Sequence, residues 1–258
     1  MKSIQSRDNP LFKVLLKLST SARQRGKSDQ TLLDGTHLLA AYLDSGMLPE
    51  HVLINEAAIR DAEITALLDR LGAVPITQLD DKLFAELSEL KTPTGILALI
   101  DIPQPNRNIA DSSFALLLED IQDPGNLGSM LRSAAAAGCD AVYLSAACAD
   151  AWSPKVLRAA MGGHFVLNIY ERQDLPEVAQ AFQGVRLATS LQATSSLYDS
   201  DLSGNVAFMV GNEGAGLSDA LMAHATQTIN IPMQGKVESL NAAAATAICL
   251  FEVVRQRC

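Results

Sequence analysis

Five consecutive apolar residues, Val206-Ala207-Phe208-Met209-Val210, give way at once to a polar, glycine-rich run, Gly211-Asn212-Glu213-Gly214-Ala215-Gly216-Leu217. A stretch that short, apolar at every position and sharply bounded reads as a buried strand. Strands buried on both faces belong to parallel sheets covered by helices. A second brief strand, Thr228-Ile229-Asn230-Ile231-Pro232, follows, and Met233 to Asn241 then leads into an alanine-rich helix ending near Arg255. Two strand ends, each followed by a loop of glycine and small polar groups, make a ligand crevice at the carboxyl edge of such a sheet. Glycines there let a ligand approach backbone N–H and C=O groups.

The preceding chain supplies the rest of an α/β architecture. Strands are expected at Phe114 to Glu119, Ala141 to Ser145, Phe165 to Tyr170 and Val185 to Thr189. Between them come a helix from Leu127 to Ala137 capped by Asn126, one opened by Pro154, and one from Leu175 to Phe182. That alternation predicts a parallel, doubly wound sheet over residues 113–258. Residues 1–100 read as a separate small α/β sandwich. Its apolar stripe Leu11, Val14, Leu15 and Leu18 predicts a first helix. Strands are expected at Leu32-Leu33, Val52 to Ile54, Val74 to Ile76 and Gly95 to Ile100, with helices from about His37 to Asp44, over 57–71 and over 80–90. Residues 101–112, polar and carrying Pro103 and Pro105, read as a linker.

Charge is unevenly spread. The 258 residues carry a net charge of −9, yet residues 1–27 hold seven basic side chains (Lys2, Arg7, Lys13, Lys17, Arg23, Arg25, Lys27) against one acid, Asp8. That segment is a local electrostatic footprint for a polyanion such as RNA. It also reads as the solvated face of an amphipathic helix, and the two readings are compatible. No apolar run approaches the ~20 residues of a membrane span, and Met1 to Arg7 lacks the apolar core of a signal peptide. Cys139, Cys148, Cys249 and Cys258 fall in no metal-ligand spacing, and His37, His51, His164 and His224 are scattered. No metal is therefore expected, and the cytoplasm is the expected location. Neither a dinucleotide fingerprint after the first strand of the sheet nor a P-loop is present, which disfavours a nucleotide-dependent enzyme.

Three long motifs occur in order: Asn126-Leu127-Gly128 through Arg132, Gly211 to Leu217, and Ile231 to Asn241. Together they resemble the SpoU (TrmH) branch of the SPOUT methyltransferases. Asn9-Pro10, Leu33-Asp34-Gly35 and Thr92-Pro93-Thr94-Gly95 resemble the L30e-like substrate-binding domain that often precedes it, with Asp34 where glutamate is more usual. The resemblance implies a trefoil knot, a homodimer with the active site near the subunit interface, and S-adenosylmethionine as cofactor. Carried over by motif position, the cofactor contacts are Thr189, Ser190, Gly211, Ile231, Met233, Ser239 and Leu240. The catalytic set is Arg132, Asn126, Glu213, Ser239 and Asn241.

The implied reaction is methyl transfer to a ribose 2′-hydroxyl of RNA, ribosomal RNA of the 23S type before tRNA. The remaining alternative is a non-catalytic RNA-binding factor of ribosome assembly. Arginine is a poor base because it stays protonated, so Arg132 is better suited to gripping a flanking phosphate and lowering the hydroxyl pKa. Asn126 either caps its helix or orients the site. Glu213 either orders its loop or touches substrate. Ser239 and Asn241 either cap the last helix or line the pocket. Where the family often has a further serine after Ser-Leu-Asn, this chain has Ala242-Ala243-Ala244, so no role can fall to it.

Overall fold

The computed structural model describes residues 2–258. Two compact units emerge: Met1–Pro103 with Trp152–Phe165, and Gln104–Ala151 with Val166–Cys258. The expected boundary near residue 101 is therefore crossed once more, by an excursion that places 152–165 with the amino-terminal unit.

In that unit, a five-stranded mixed sheet runs β1 (Lys2–Ile4), β4 (Ile76–Leu79), β3 (His51–Ile54), β5 (Ile96–Asp101), β2 (Gln30–Asp34). Only β5 runs antiparallel to its neighbours. β1 was not anticipated, because three residues with one buried apolar side chain carry no readable period. Asn9 caps α1 (Pro10–Thr20), its Oδ1 accepting from Leu11 N at 2.9 Å, with Pro10 in the first turn. Phe12, Leu15 and Leu18 of α1 are buried against Leu32, Leu53 and Leu97. Val14, expected in that stripe, is 42% exposed, and Phe12 takes its place.

The single helix expected over 57–71 is two pieces. A 3-10 turn ends at Arg60, and the Asp61 carboxylate then caps a helix, Ala62–Asp69, accepting from Glu63 N at 2.8 Å. The excursion forms a short helix, Pro154–Ala160, tied in where Thr31 Oγ1 donates to Trp152 O at 2.8 Å. The strand expected at 165–170 is shortened to Asn168–Tyr170, because Phe165 instead packs edge-on to Tyr42, ring centres 5.1 Å apart.

The carboxy-terminal unit is a seven-stranded sheet, every pair parallel. Its order is β10 (Ser195–Ser196), β12 (Gln227–Asn230), β9 (Val185–Thr189), β11 (Val206–Val210), β6 (Phe114–Leu118), β7 (Ala141–Leu144), β8 (Asn168–Tyr170). β6 and β11 are central and buried at all positions, as their unbroken apolar runs require. A helix from Pro124 to Ala137 follows β6, and a last helix, Ala242–Arg257, packs against it. The first of these is capped by Asp123, whose Oδ1 accepts from Asn126 N at 2.7 Å. Asn126 is thus inside the first turn rather than its cap, leaving its side chain available for other contacts. The second half of the expected linker is fixed to this unit: Arg107 pairs with Asp140 at 2.7 Å and its N–H donates to Tyr170 OH at 3.0 Å.

Candidate active site

The loops that follow β9, β11 and β12 open at the carboxyl edge of the sheet, where an open parallel sheet binds ligands. The loop after β11 is held closed by its own atoms. Asn212 and Gly216 exchange backbone hydrogen bonds of 3.1 and 2.8 Å, and Asn212 Oδ1 accepts from Gly214 N at 2.9 Å and Ala215 N at 3.1 Å. A Cβ on Gly211 would stand 2.3 Å from the carbonyl of Gly216, so the tight closure needs glycine there.

This closed loop presents Glu213. Its Oε1 accepts from Asn126 Nδ2 and, at 3.3 Å, from Asn241 Nδ2, and Asn241 Nδ2 also donates to Asn126 Oδ1 at 2.9 Å. Three residues 28 to 115 positions apart in the chain thus share one hydrogen-bonded cluster. Asn241 fulfils both of its expected roles in geometry, since its Oδ1 caps the last helix by accepting from Ala243 N at 3.0 Å and Ala244 N at 3.2 Å.

A cleft of about 660 Å³ adjoins the cluster. All seven expected cofactor residues line it: Thr189, Ser190, Gly211, Ile231, Met233, Ser239 and Leu240. Glu213 and Asp219 are the charged side chains among the lining residues, and no lysine or arginine lines it. Ser190 is held in place by its N–H to Ile229 O at 3.0 Å, and Thr189 Oγ1 donates to Met209 O at 3.3 Å. Cys249 forms part of the wall, but burial pushes its thiol up to about 12. A thiol that stays protonated is no nucleophile, so covalent cysteine chemistry has no residue in this cleft.

Arg132 is not part of the cluster. It is exposed and lies outside the cleft lining, and its side chain makes no ion pair or hydrogen bond among the described residues. At ~1.5 Å rise per residue it sits roughly 9 Å along the helix from Asn126. Sequence reasoning missed Asn212, Asp219, Ala245 and Cys249, which also line the cleft. A signal existed for two of them: Asn241, Ala245 and Cys249 are spaced by four and share one helix face.

Of the expected RNA contacts, Lys2, Arg7, Lys13, Lys17, Arg23 and Lys27 are exposed. Arg7 pairs with Glu86 at 2.6 Å and Lys13 with Asp8 at 2.8 Å. Arg25 departs from that expectation. It is buried, and its guanidinium donates to Leu18 O at 2.5 Å at the end of α1, so it fastens the helix instead of facing solvent. Among the described residues, no group of three or more His, Cys, Asp or Glu could hold a metal ion, and no helix is long and apolar enough to cross a membrane.

Comparison with known proteins covers both units. Residues 113–251 match the SpoU rRNA Methylase family, and residues 9–98 match the MRM3-like substrate binding domain. The chain is 36% identical to an uncharacterized tRNA/rRNA methyltransferase of Synechocystis, over 99% of this chain and 94% of that protein. It is 34% identical to the 23S rRNA (guanosine(2553)-2′-O)-methyltransferase RlmP of Bacillus subtilis, over 98% of this chain and 99% of that protein. Among solved structures, the SpoU methyltransferase AviRb of Streptomyces viridochromogenes in complex with AdoMet superposes with a TM-score of 0.83 at 26% identity, covering 96% of this chain and 99% of that one.

Proposed function

The chain belongs to the SpoU rRNA methylase family, and from that premise we propose that it transfers a methyl group from S-adenosylmethionine to a ribose 2′-hydroxyl of large-subunit ribosomal RNA. The observation that carries the reading is the meeting of Asn126, Glu213 and Asn241 at the mouth of a cleft lined by all seven expected cofactor residues. Ribosomal RNA is favoured over tRNA because similarity to the B. subtilis enzyme extends over both units, not the catalytic half alone.

The cleft suits this cofactor. When bound, S-adenosylmethionine supplies an electrophilic methyl on a cationic sulfonium. Walls bearing two carboxylates and no lysine or arginine accommodate positive charge and would repel a phosphate-bearing nucleotide. Thr189, Ser190, Gly211, Ile231, Met233, Ser239 and Leu240 would hold it, several through backbone groups. The Asn126–Glu213–Asn241 cluster would fix the acceptor ribose in near-attack geometry. Arg132, exposed and without a partner, is free to grip the neighbouring phosphate in a bidentate contact and ease loss of the hydroxyl proton. Lys2, Lys17, Arg23 and Lys27, exposed on the amino-terminal unit, would hold RNA phosphates further away. The trefoil knot, the homodimer and the cytoplasmic location expected from the sequence belong to the same proposal.

The test is calorimetry with S-adenosylmethionine, followed by transfer of a tritiated methyl to rRNA and tRNA from cells lacking the protein. Label in large-subunit rRNA, lost in Arg132→Ala, is the expected result. Label confined to tRNA would overturn the substrate, and absence of cofactor binding would overturn the reaction.

A further inference from the structure

Two consecutive residues just beyond β6 reach the Gly211–Leu217 loop from both sides. The Glu119 carboxylate accepts from Ser218 N at 2.7 Å and from Ser218 Oγ at 2.7 Å. The Asp120 carbonyl accepts from Asn212 Nδ2 at 3.0 Å. Asn212 immediately precedes Glu213, and Ser218 closes the loop at its far end.

Asp120 has φ 56, in the left-handed region that side chains other than those of Asn, Asp and Gly rarely adopt. Ser145 holds it there. Asp120 N donates to Ser145 Oγ at 2.9 Å, and that hydroxyl donates to Asp120 Oδ1 at 2.6 Å. A non-glycine residue kept in a sparsely populated conformation beside a cleft points to a functional constraint. Here its result is visible: the turned carbonyl faces the asparagine that closes the loop. The same strand end continues within six residues to Asn126.

We propose that Glu119 and Asp120 are positioning residues that suspend Glu213 and Asn126 from one strand end and so fix their meeting before any ligand arrives. The catalytic consequence rests on the methyl-transfer reading above. The loop geometry does not.

The experiment compares Glu119→Ala, Glu119→Gln, Asp120→Val, Asp120→Gly and Asp120→Asn with wild type. It reads kcat and KM for methyl transfer, and amide hydrogen exchange over residues 212–218. A misplacement of about 1 Å at a reacting centre costs as much as ~100-fold in rate. Glu119→Ala and Asp120→Val should therefore lower kcat by roughly tenfold or more, leave KM for RNA within about twofold, and speed exchange over 212–218. Asp120→Asn should restore wild-type behaviour, because asparagine tolerates φ 56 and keeps the Ser145 contact. Asp120→Gly, which keeps the carbonyl but loses that contact, should fall between. Glu119→Gln should retain part of the Ser218 contact and part of the rate. If Asp120→Val does not fold, the asparagine and glycine variants with the Glu119 pair still decide.

Unchanged kcat in Glu119→Ala, or unchanged exchange over 212–218 in both Glu119→Ala and Asp120→Gly, overturns the proposal. Should wild type itself transfer no methyl group, the methyl-transfer reading falls, and the exchange data still decide the clamp.

Discussion

The two glycine-bearing loops of the cleft are built in opposite ways. Residues 211–217 are closed by the Asn212–Gly216 backbone pair, by Asn212 Oδ1, and by contacts from Asp120 to Asn212 and from Glu119 to Ser218 at either end. The segment 231–240 gives Ile231, Met233, Ser239 and Leu240 to the same cleft, yet no hydrogen bond among the described residues involves it, and Val237 is 64% exposed. Segments with few buried contacts and unsupported backbone occupy the low-stability end of a fold. One wall of the cleft is therefore fixed in advance by the protein. The expectation to test is that the other wall takes its final shape on binding, an ordering that would be part of what binding costs.

The sharpest way to break this contrast is a methyl group in each loop. Gly211→Ala puts a Cβ 2.3 Å from Gly216 backbone atoms and 2.5 Å from Leu217 N, none of which can yield without opening the loop. Overpacking of that kind costs about 1–3 kcal/mol, so cofactor affinity should fall by roughly ten- to a hundredfold and Tm should drop. Gly235→Ala meets nothing within 4 Å, and calorimetry should find it within about twofold of wild type. Equal losses at the two positions would mean that both loops are pre-set.

Next in size is the shared acceptor. Glu213→Ala removes the oxygen to which Asn126 and Asn241 both donate. Hydrogen bonds to a charged group contribute about 1.5–3 kcal/mol, so methyl transfer should fall roughly 10- to 100-fold. Cofactor affinity should fall by less, since Asp219 keeps one of the two cleft carboxylates, and a single-turnover assay beside a binding isotherm will separate the two effects. Glu238→Ala, in the unsupported loop, removes a carboxylate with no partner among the described residues and should change kcat by less than about twofold.

Hydrogen exchange tests the contrast directly. S-adenosylmethionine near saturation should slow exchange over 231–240 by about tenfold or more, and over 211–217 by much less. Equal protection of both loops would remove the distinction.

The legible part of the sequence was the part with a strong period or a fixed local chemistry. The runs at 114–118 and 206–210 read as buried strands because a parallel sheet demands apolar residues at every position. The seven residues that motif resemblance offered as cofactor contacts are gathered in one cleft. What escaped depended on partners distant in sequence. The exception is local: Asp123, not Asn126, caps its helix, as Pro124 in the first turn signalled. Arg25 looked like its basic neighbours until the carbonyls at the end of α1 took its guanidinium. Trp152 to Phe165 join the amino-terminal unit through Thr31 and Tyr42, residues more than a hundred positions away, which no window of local sequence contains.

The linker carries the smallest prediction and the strictest test of what fixes a loop. By composition, residues 104–112 look as unsupported as 231–240, yet they behave as the first loop does, with a carboxylate as their anchor. Asp140 accepts from Ser113 N at 2.6 Å, Ser113 Oγ at 2.9 Å and Phe114 N at 2.9 Å, and pairs with Arg107 at 2.7 Å. Burial alone would raise its pKa, but the N–H groups of Phe114 and Ser113, the Ser113 hydroxyl and Arg107 together hold it below the ordinary 3.8. A carboxyl depressed in the folded state contributes stability that is complete above its unfolded value and lost as pH falls through its folded one. Exchange over 106–113, corrected for its intrinsic pH dependence, should therefore quicken as pH drops below about 4, by a few-fold. Asp140→Asn should exchange faster at neutral pH and lose the step, whereas 231–240 should show no step in either protein. A step that survives in Asp140→Asn would assign the anchor to another acid. Its disappearance would mean that the difference between a fixed segment and a free one in this unit comes down to a carboxylate placed to accept backbone N–H groups, as Glu119 is for Ser218.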